Sequence, residues 1–221
     1  MKEKKILFAG LFLIAMFCIW TWLIQIVNVQ PAGESGTNVG FATLNCRFHE
    51  LTGVHMNLYV ITDWLGLVPL FICFGFAGLG LVQLIRRKNL LRVDPDILLL
   101  GVYYIIVILG YLIFEMIPLN YRPILINGHP EASYPSSTTL LVLCVMPTLI
   151  FQLKRRSKKG RVNSLICAAA MLFSLFMVIG RTISGVHWLT DIIGSILFST
   201  GLFLIYKAIV LHWDNSTAPE V

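Results

Sequence analysis

Charged residues are scarce in this chain of 221 residues: 13% are Asp, Glu, Lys or Arg, whereas 57% are hydrophobic. A water-soluble domain of this size does not need so much apolar surface, so the composition excludes that class. The five cysteines are too few and too scattered to form a framework, because four lie in apolar runs and Cys46 stands alone in a loop. They give neither a disulfide set nor a metal-ligand spacing. Without internal repeats or low-complexity segments, residues 1–221 are predicted to form a single domain.

Long apolar runs dominate the rest of the chain, and each is close to the roughly 20 residues that span a hydrocarbon core. They predict an all-α integral membrane protein with six transmembrane helices. The first run is too long for a typical signal peptide, and no small-residue cleavage site follows it cleanly, so we treat it as a span. The predicted spans are Ile6–Val27, Leu58–Ile85, Ile97–Ile117, Ser137–Leu153, Val162–Ser184 and Leu189–Val210.

The net charge of +6 indicates topology through its distribution. Basic clusters precede the first span, follow the second and fill the connection between the fourth and fifth. With six crossings these clusters share one side, and the positive-inside rule places that side and both termini in the cytoplasm. We therefore predict a multi-pass protein of the cell membrane whose basic residues meet anionic lipid heads and bind no nucleic acid.

Residues capable of chemistry gather at the opposite, outer face. The run GRTISGVHWLTD joins the last two spans and contains Arg181, His187 and Asp191. If the chain is helical from Trp188 onward, His187 and Asp191 lie one turn apart on one face. Asp191 could then accept a hydrogen bond from one imidazole nitrogen and leave the other free as a nucleophile. Because the planar fork of Arg181 suits phosphate oxygens, the run indicates phosphoryl chemistry.

The second outer loop carries a further group of candidates. Arg122 precedes Pro123, and Pro135 precedes Ser136 and Ser137, where the fourth span begins. A helix start has unpaired backbone N–H groups and a positive dipole end, which together can hold a phosphate. Pro and Ser are also common helix caps, and an arginine at this depth can equally contact a lipid head.

Two other segments are predicted to have no catalytic role. The first outer loop begins polar and Gly-rich and is expected to hold a short interfacial helix over Phe41–Leu51. His49, Glu50 and His55 in that loop fit no metal-ligand pattern, so a solvated loop is expected there. The chain ends in DNSTAPEV, which is typical of a disordered end.

Three stretches of the chain, taken in order, resemble the signatures of the type 2 phosphatidic acid phosphatase superfamily, which also includes the vanadium haloperoxidases. Those signatures are Lys-x6-Arg-Pro, then Pro-Ser-Gly-His, then Ser-Arg-x5-His-x3-Asp. The corresponding stretches are EMIPLNYRP at Glu115–Pro123, PSST at Pro135–Thr138 and GRTISGVHWLTD at Gly180–Asp191. The resemblance extends to the six-span plan and the outer loops, so it covers most of the chain.

The resemblance implies a role for each matching residue. His187 is similar to the nucleophile that takes the phosphoryl group as a phosphohistidine, and Asp191 is similar to its orienting partner. Such a site works without a metal or another cofactor and acts on a membrane lipid. The residues implied in the phosphate clamp are Arg122, Arg181, Ser136, Ser137 with its backbone N–H and, in part, Thr138.

Two positions depart from the family. Glu115 stands where the family has Lys, and Thr138 stands where it has the histidine that donates a proton to the leaving group. Threonine cannot donate a proton near neutral pH, and loss of a general acid costs about 10²–10⁴ in rate. One interpretation is that Glu115 forms a structural ion pair with Arg122 or Arg181. The other is that Glu115, desolvated at the membrane edge, stays protonated and is itself the acid. Further candidates for the donor are His129 and Glu131.

The leaving group offers another way to work without that histidine. A diphosphate substrate releases a phosphate group, whose pKa is roughly 6 and which needs no proton, whereas an alkoxide does. We therefore expect a lipid phosphatase that prefers a polyprenyl diphosphate over a lipid monophosphate. The alternatives are a non-hydrolytic protein that binds lipid phosphates on the same scaffold, and a phosphotransferase in which His187 passes the group to an acceptor other than water.

Overall fold

The computed structural model describes residues 2–156 and 160–217, which form long helices joined by short loops. The helices are α1 (Lys2–Ile26), α2 (Ala42–Thr52), α3 (Met56–Leu65), α4 (Leu67–Arg87), α5 (Pro95–Met116), α6 (Ser137–Arg156), α7 (Gly160–Ile183) and α8 (Leu189–Thr217). A short 3-10 helix over Leu90–Arg92 precedes α5, and two strands, β1 (Gln30–Ala32) and β2 (Thr37–Val39), lie between α1 and α2.

Within residues 2–156 and 160–217, six helical segments are long and apolar enough to cross a membrane, which confirms the predicted number of spans. α1, α5, α6, α7 and α8 provide five of these segments, and α3 together with α4 provides the sixth. α6 is helical throughout although it contains Pro147. Several helices run beyond the predicted apolar limits because basic residues in their last turns, such as Arg86 and Lys154, stay helical and face the negative end of the helix dipole.

The first outer loop corrects the all-α prediction in one detail. β1 and β2 form an antiparallel hairpin in which Gln30 pairs with Val39 and Ala32 pairs with Thr37. Gly33 and Gly36 take positive φ angles in the turn, a conformation that glycine adopts without steric cost. The helix predicted over Phe41–Leu51 is confirmed as α2.

The end of the chain corrects another prediction. Asp214, Asn215 and Ser216 were expected to belong to a disordered end, but α8 continues through them. The guanidinium of Arg155 donates to Asp214 Oδ1 over 3.0 Å, so an ion pair holds the last turns of α8 to α6. The rest of the predicted disordered end, residues 218–221, lies outside the described residues.

Charged side chains hold the helices together at the end of the bundle where α4 and α6 finish. Arg156 donates to Asp94 Oδ2 over 2.9 Å and to Asp96 Oδ1 over 2.7 Å, and Arg87 contacts Asp94 Oδ1 at 2.8 Å. These ion pairs connect α4 and α6 to the start of α5. The basic residues Arg87, Arg155 and Arg156 therefore lie at one end of the bundle, and the loop between α7 and α8 lies at the other, next to the start of α6.

At that other end, the β1–β2 hairpin braces the second outer loop. The backbone N–H of Glu34 donates to the Pro123 carbonyl, and the Leu125 N–H donates to Glu34 Oε2, both over 2.8 Å. A Cβ added to Gly33 would lie 2.8 Å from the Pro123 oxygen, so only glycine permits this close approach. These contacts fix the backbone that follows Arg122.

α2 fixes the start of α8 through hydrogen bonds. The buried Asn45 side chain donates to Thr190 Oγ1 over 3.0 Å and accepts from the Thr190 N–H over 3.3 Å. Close by, the His55 N–H donates to the Ser184 carbonyl over 3.0 Å. The first outer loop thus holds the turn that carries His187 at Ser184, before the histidine, and at Thr190, after it.

Candidate active site

His187 lies in the turn between α7 and α8 and is buried, with 3% of its surface exposed. Its Nε2 lies 3.1 Å from Nη2 of Arg181, and its Nδ1 lies 3.1 Å from the Ser133 carbonyl oxygen. A guanidinium can only donate, so Nε2 is the acceptor and Nδ1 carries the proton. The nitrogen with the free electron pair therefore faces an arginine.

The surroundings of His187 keep its ring neutral. Burial lowers the pKa of His187, and the positive charges of Arg181 and then Arg122 lower it further, to well below the ordinary value. The Ser133 carbonyl opposes this shift, but it does not outweigh burial and two cations. The imidazole is thus in its nucleophilic form at neutral pH.

Asp191 is connected to His187 less directly than its spacing predicts. Its Oδ2 is 3.8 Å from His187 Nδ1, which is too long for a hydrogen bond. Ser133 lies between them: its hydroxyl is 3.2 Å from Nδ1 and donates to Asp191 Oδ2. The predicted direct bond is therefore wrong, and the carboxylate reaches the imidazole through Ser133 and through its charge.

The carboxylate of Asp191 is itself fixed from several sides. Oδ2 also accepts from the Trp188 N–H over 2.9 Å, and Oδ1 lies 3.5 Å from Asn120 Nδ2. α8 begins at Leu189, so Asp191 is its third residue and its side chain caps the residue before the helix. The local cap explains why Asp191 points back toward the turn that carries His187.

Arg122 and Arg181 have buried N–H groups that donate no hydrogen bond within the described part of the chain. Nε and Nη1 of both guanidiniums are buried and have no hydrogen-bond acceptor in the described part of the chain. Buried polar groups are nearly always paired, so such nitrogens call for an anionic partner. Their planar forks match the oxygens of a phosphoryl group, as the sequence predicts.

Each arginine also has a carboxylate neighbour. Arg122 Nη2 lies 3.1 Å from Glu131 Oε2, and Arg181 Nη1 lies 3.6 Å from Asp63 Oδ1. Glu115 makes no ion pair with either arginine in the described structure, so the interpretation of Glu115 as their structural partner is wrong. Its role as an acid stays a prediction.

A cavity of about 290 Å³ opens beside these side chains. Glu115, Arg122, Glu131, Ser137 and His187 line it, together with aromatic residues of α5 and the loop before α6. The cavity therefore joins the predicted nucleophile, one predicted clamp arginine and the start of α6.

The three hydroxyl residues at that helix start have different surroundings. Ser137, the first residue of α6, lines the cavity. The Ser136 hydroxyl donates to the Thr139 hydroxyl oxygen over 3.1 Å, and the Ser136 N–H lies 3.4 Å from the Asp191 carbonyl. Thr138 lines an adjoining apolar groove instead. Ser137 is thus the residue of this group that the structure brings to the cavity, and phosphate roles for Ser136 and Thr138 stay predictions.

Metal-ligating side chains are dispersed. Over residues 2–156 and 160–217, no three His, Cys, Asp or Glu side chains come together in a way that could hold a metal ion. His49 and His55, which fit no metal-ligand pattern in the sequence, lie in the first outer loop. His49 packs against the Trp188 ring at 5.7 Å, and His55 Nε2 contacts the Thr52 carbonyl at 2.9 Å.

Tyr59 on α3 is a site residue that no pattern in the sequence marks. Its ring centroid lies 5.0 Å from the guanidinium carbon of Arg181 and 5.6 Å from that of Arg122. An aromatic ring close to two cations attracts both and offsets part of their mutual repulsion. Tyr59 therefore helps to hold both guanidiniums at the site.

We expect Tyr59→Leu to weaken the binding of an inhibitory oxyanion such as vanadate by roughly tenfold, because each lost cation–π contact is worth about 0.5–2 kcal/mol. Tyr59→Phe retains the ring and should bind vanadate nearly as the wild type does. Inhibition curves for the two variants measure the difference. Equal weakening in both variants would point to the hydroxyl group rather than the ring.

The described chain is thus a multi-pass helical membrane protein in which His187 and Arg122 line a cavity at one end of the bundle and Arg181 contacts His187. Residues 97–214, just over half of the chain, match the PAP2 superfamily, and the chain belongs to this family. The match confirms the family that the three sequence stretches resemble. A search of curated proteins found no match.

One solved structure supports the architecture over nearly the whole chain. It is described as the crystal structure of the first transmembrane PAP2 type phosphatidylglycerolphosphate phosphatase from Bacillus subtilis. It superposes with a TM-score of 0.65 at 18% sequence identity, covering 97% of this chain and 100% of that one. The protein therefore has the fold of a membrane PAP2 phosphatase, including the helices α1 to α4 that precede the matched family segment.

Proposed function

We propose that the protein is a membrane lipid phosphatase that hydrolyses a lipid phosphate, preferably a polyprenyl diphosphate, through a phosphohistidine on His187. The observation that carries this proposal is the buried imidazole of His187, which lines the cavity and whose Nε2 lies 3.1 Å from Arg181 Nη2. Family membership and the fold of a membrane phosphatase support it.

In the first step, the Nε2 electron pair attacks phosphorus and the bond from phosphorus to the leaving oxygen breaks. The unpaired N–H groups of Arg122 and Arg181 then hold the equatorial oxygens, with the N–H groups at Ser137 as further donors. The imidazole becomes positively charged, and Asp191 stabilises that charge through Ser133. These groups supply the charge stabilisation from the protein itself, so the proposed reaction needs no metal.

The substrate preference follows from the residues around the leaving group. Thr138 provides no proton, and a polyprenyl phosphate, with a pKa of roughly 6, leaves without one. The apolar groove beside the cavity, about 470 Å³ in volume, shares Tyr111, Ser137 and Leu140 with it and offers a place for the lipid chain. The missing proton donor favours a diphosphate over a monophosphate, and the groove favours a lipid.

Phosphate release by the purified protein tests the proposal. We expect release from polyprenyl diphosphate to exceed release from phosphatidate and from phosphatidylglycerol phosphate in the same detergent, with EDTA present and with inhibition by vanadate. Binding of these lipids without release would establish a non-hydrolytic binding protein. Transfer of labelled phosphate to a lipid or alcohol would establish a phosphotransferase. Strict dependence on a divalent ion would contradict the proposed chemistry.

The proposed reaction takes place at the outer leaflet of the cell membrane, with both termini in the cytoplasm. The basic residues at the end of the bundle away from His187 support this orientation through the positive-inside rule. The orientation places the cavity on the extracytoplasmic side.

We expect Asn38→Cys, in the hairpin, to react with an impermeant maleimide in intact cells, and Leu91→Cys, between α4 and α5, to react only after lysis. Both residues are exposed, and neither substitution changes a charge. The five native cysteines are replaced first. Labelling of Leu91→Cys in intact cells would reverse the proposed orientation.

A further inference from the structure

The second half of the proposed reaction has no base among the residues of the family signatures. Water must attack the phosphohistidine, and its attack is faster when a nearby group takes the proton. Thr138 stands where the family has a histidine, and a threonine hydroxyl does not accept a proton at neutral pH. The following inference rests on the proposed function and concerns which side chain activates that water.

Asp63 is the carboxylate that shares a guanidinium with the nucleophile. Its Oδ1 is 3.6 Å from Arg181 Nη1, and the Nη2 atom of the same guanidinium is 3.1 Å from His187 Nε2. A phosphoryl group held by Arg181 and bonded to Nε2 would therefore lie within reach of Asp63. The carboxylate of Asp63 and Nε2 of His187 thus contact two nitrogens of one planar guanidinium, so the two side chains are close together.

Asp63 also lies on the side from which the lipid departs. Together with Ser137 and Thr138 it forms the polar part of the apolar groove that adjoins the cavity. Thr138 packs near Gly66, only three residues after Asp63, since a Cβ added to Gly66 would lie 3.3 Å from Thr138 Cγ2. The carboxylate thus lies beside the position where the family places its histidine.

The Asp63 carboxylate lies at the surface of the helix bundle, seven residues after the start of α3. The Asp63 side chain is 57% exposed, whereas Arg181 is 1% exposed. In an in-line displacement, water approaches phosphorus from the side opposite Nε2, which is the side that the leaving lipid has just vacated. A carboxylate that borders both the groove and Arg181 is well placed to orient that water.

We propose that Asp63 is the general base that activates water for hydrolysis of the phosphohistidine. One proton of the water passes to the Asp63 carboxylate as the water oxygen bonds to phosphorus. The bond from phosphorus to Nε2 breaks, and its electron pair returns to the imidazole. Inorganic phosphate leaves, and Asp63 returns its proton to solvent, so the site is restored.

Two other carboxylates, those of Glu115 and Glu131, line the cavity but do not contact Arg181 in the described structure. Glu131 is held by Arg122 at 3.1 Å, and the Glu131 carbonyl also accepts from the Arg122 backbone N–H. Glu115 lies on α5 in the wall of the cavity, one helical turn beyond Tyr111. Asp63 differs from both in its contact with the arginine that touches Nε2.

The test follows both halves of the reaction with a farnesyl diphosphate labelled with ³²P at the terminal phosphate. We expect Asp63→Asn to form farnesyl phosphate in a first turnover at nearly the wild-type rate. Phosphate release should then slow by about 10²–10⁴-fold, and labelled protein should accumulate. Adding His187→Ala should abolish the label. Glu50→Gln, which removes an exposed carboxylate on α2, is the matched control and should behave as the wild type does.

A second variant separates the chemical role from folding and from positioning of Arg181. Asp63→Ala should also accumulate labelled protein, and added formate should restore phosphate release because it supplies a carboxylate in the space left open. A residue that only holds Arg181 would, when removed, slow formation of the labelled protein and raise KM, with no rescue by formate.

Three results would overturn the inference. Phosphate release by Asp63→Asn at the wild-type rate would exclude the base role. Slow turnover without accumulation of label would place Asp63 in the first step or in positioning. Accumulation of label in Glu115→Gln but not in Asp63→Asn would assign the role to Glu115. Wild-type protein that releases no phosphate and takes up no label would instead refute the proposed function, and the base role with it.

Discussion

His187→Ala should reduce phosphate release from polyprenyl diphosphate by roughly four orders of magnitude or more, because it removes the atom to which phosphorus becomes bonded. Binding should change much less, since Arg122, Arg181 and Ser137 remain. We therefore expect the variant to retain lipid diphosphate with an affinity close to that of the wild type. Steady-state phosphate release, together with equilibrium binding of the labelled lipid, measures the two effects separately.

The matched control is His212→Ala, which removes an exposed histidine near the far end of α8 and should leave turnover unchanged. Equal abundance and thermal stability of the two variants in detergent would show that the loss in His187→Ala is chemical. Turnover by His187→Ala at the wild-type rate would remove this residue from the mechanism and refute the phosphohistidine.

The fold could be predicted well because membrane insertion depends on simple, local properties of the sequence. Apolar runs of sufficient length define the spans, and the basic clusters mark their ends. The β1–β2 hairpin was missed because each strand has only three residues, too few for an alternating pattern to show. The hairpin also contacts Pro123 and Leu125 of the second outer loop, which are about ninety residues further along the chain, so no local pattern indicates these contacts.

The site could be predicted in part, and the missed residues share one property. Arg181, His187 and Asp191 lie in one short run, so their spacing alone indicates a common site. Tyr59 and Asp63 reach the site from α3, more than a hundred residues away, and no local pattern marks them. The packing of α3 against α7 brings them to Arg181.

The relation between His187 and Asp191 shows how a small shift in a helix boundary changes a chemical contact. With the helix assumed to start at Trp188, a separation of four residues places the two side chains on one face. α8 begins at Leu189, so His187 lies two residues before the helix rather than directly before it, and its ring is oriented by the turn. Ser133 fills the gap that results. A serine in a polar loop is too common to be selected from sequence.

We expect Asp191→Asn to slow turnover by about 10³-fold or more, an effect of the size seen when the aspartate behind a catalytic histidine is replaced in other enzymes. Asparagine keeps an oxygen for the Trp188 N–H, but it lacks the negative charge that stabilises the phosphorylated imidazole. Ser133→Ala should be milder, roughly tenfold, because the Ser133 carbonyl still accepts from Nδ1 and keeps the ring in place. Single-turnover formation of labelled protein measures the affected step directly.

The double variant tests whether the two residues act as one connected group. If Asp191 reaches the imidazole mainly through the Ser133 hydroxyl, the loss in Ser133→Ala/Asp191→Asn should be smaller than the product of the two single losses. Asp214→Asn, which weakens an ion pair at the opposite end of the bundle, is the control for removal of a carboxylate charge. Multiplicative losses would mean that Asp191 acts on His187 by its charge alone, across the 3.8 Å that separate them.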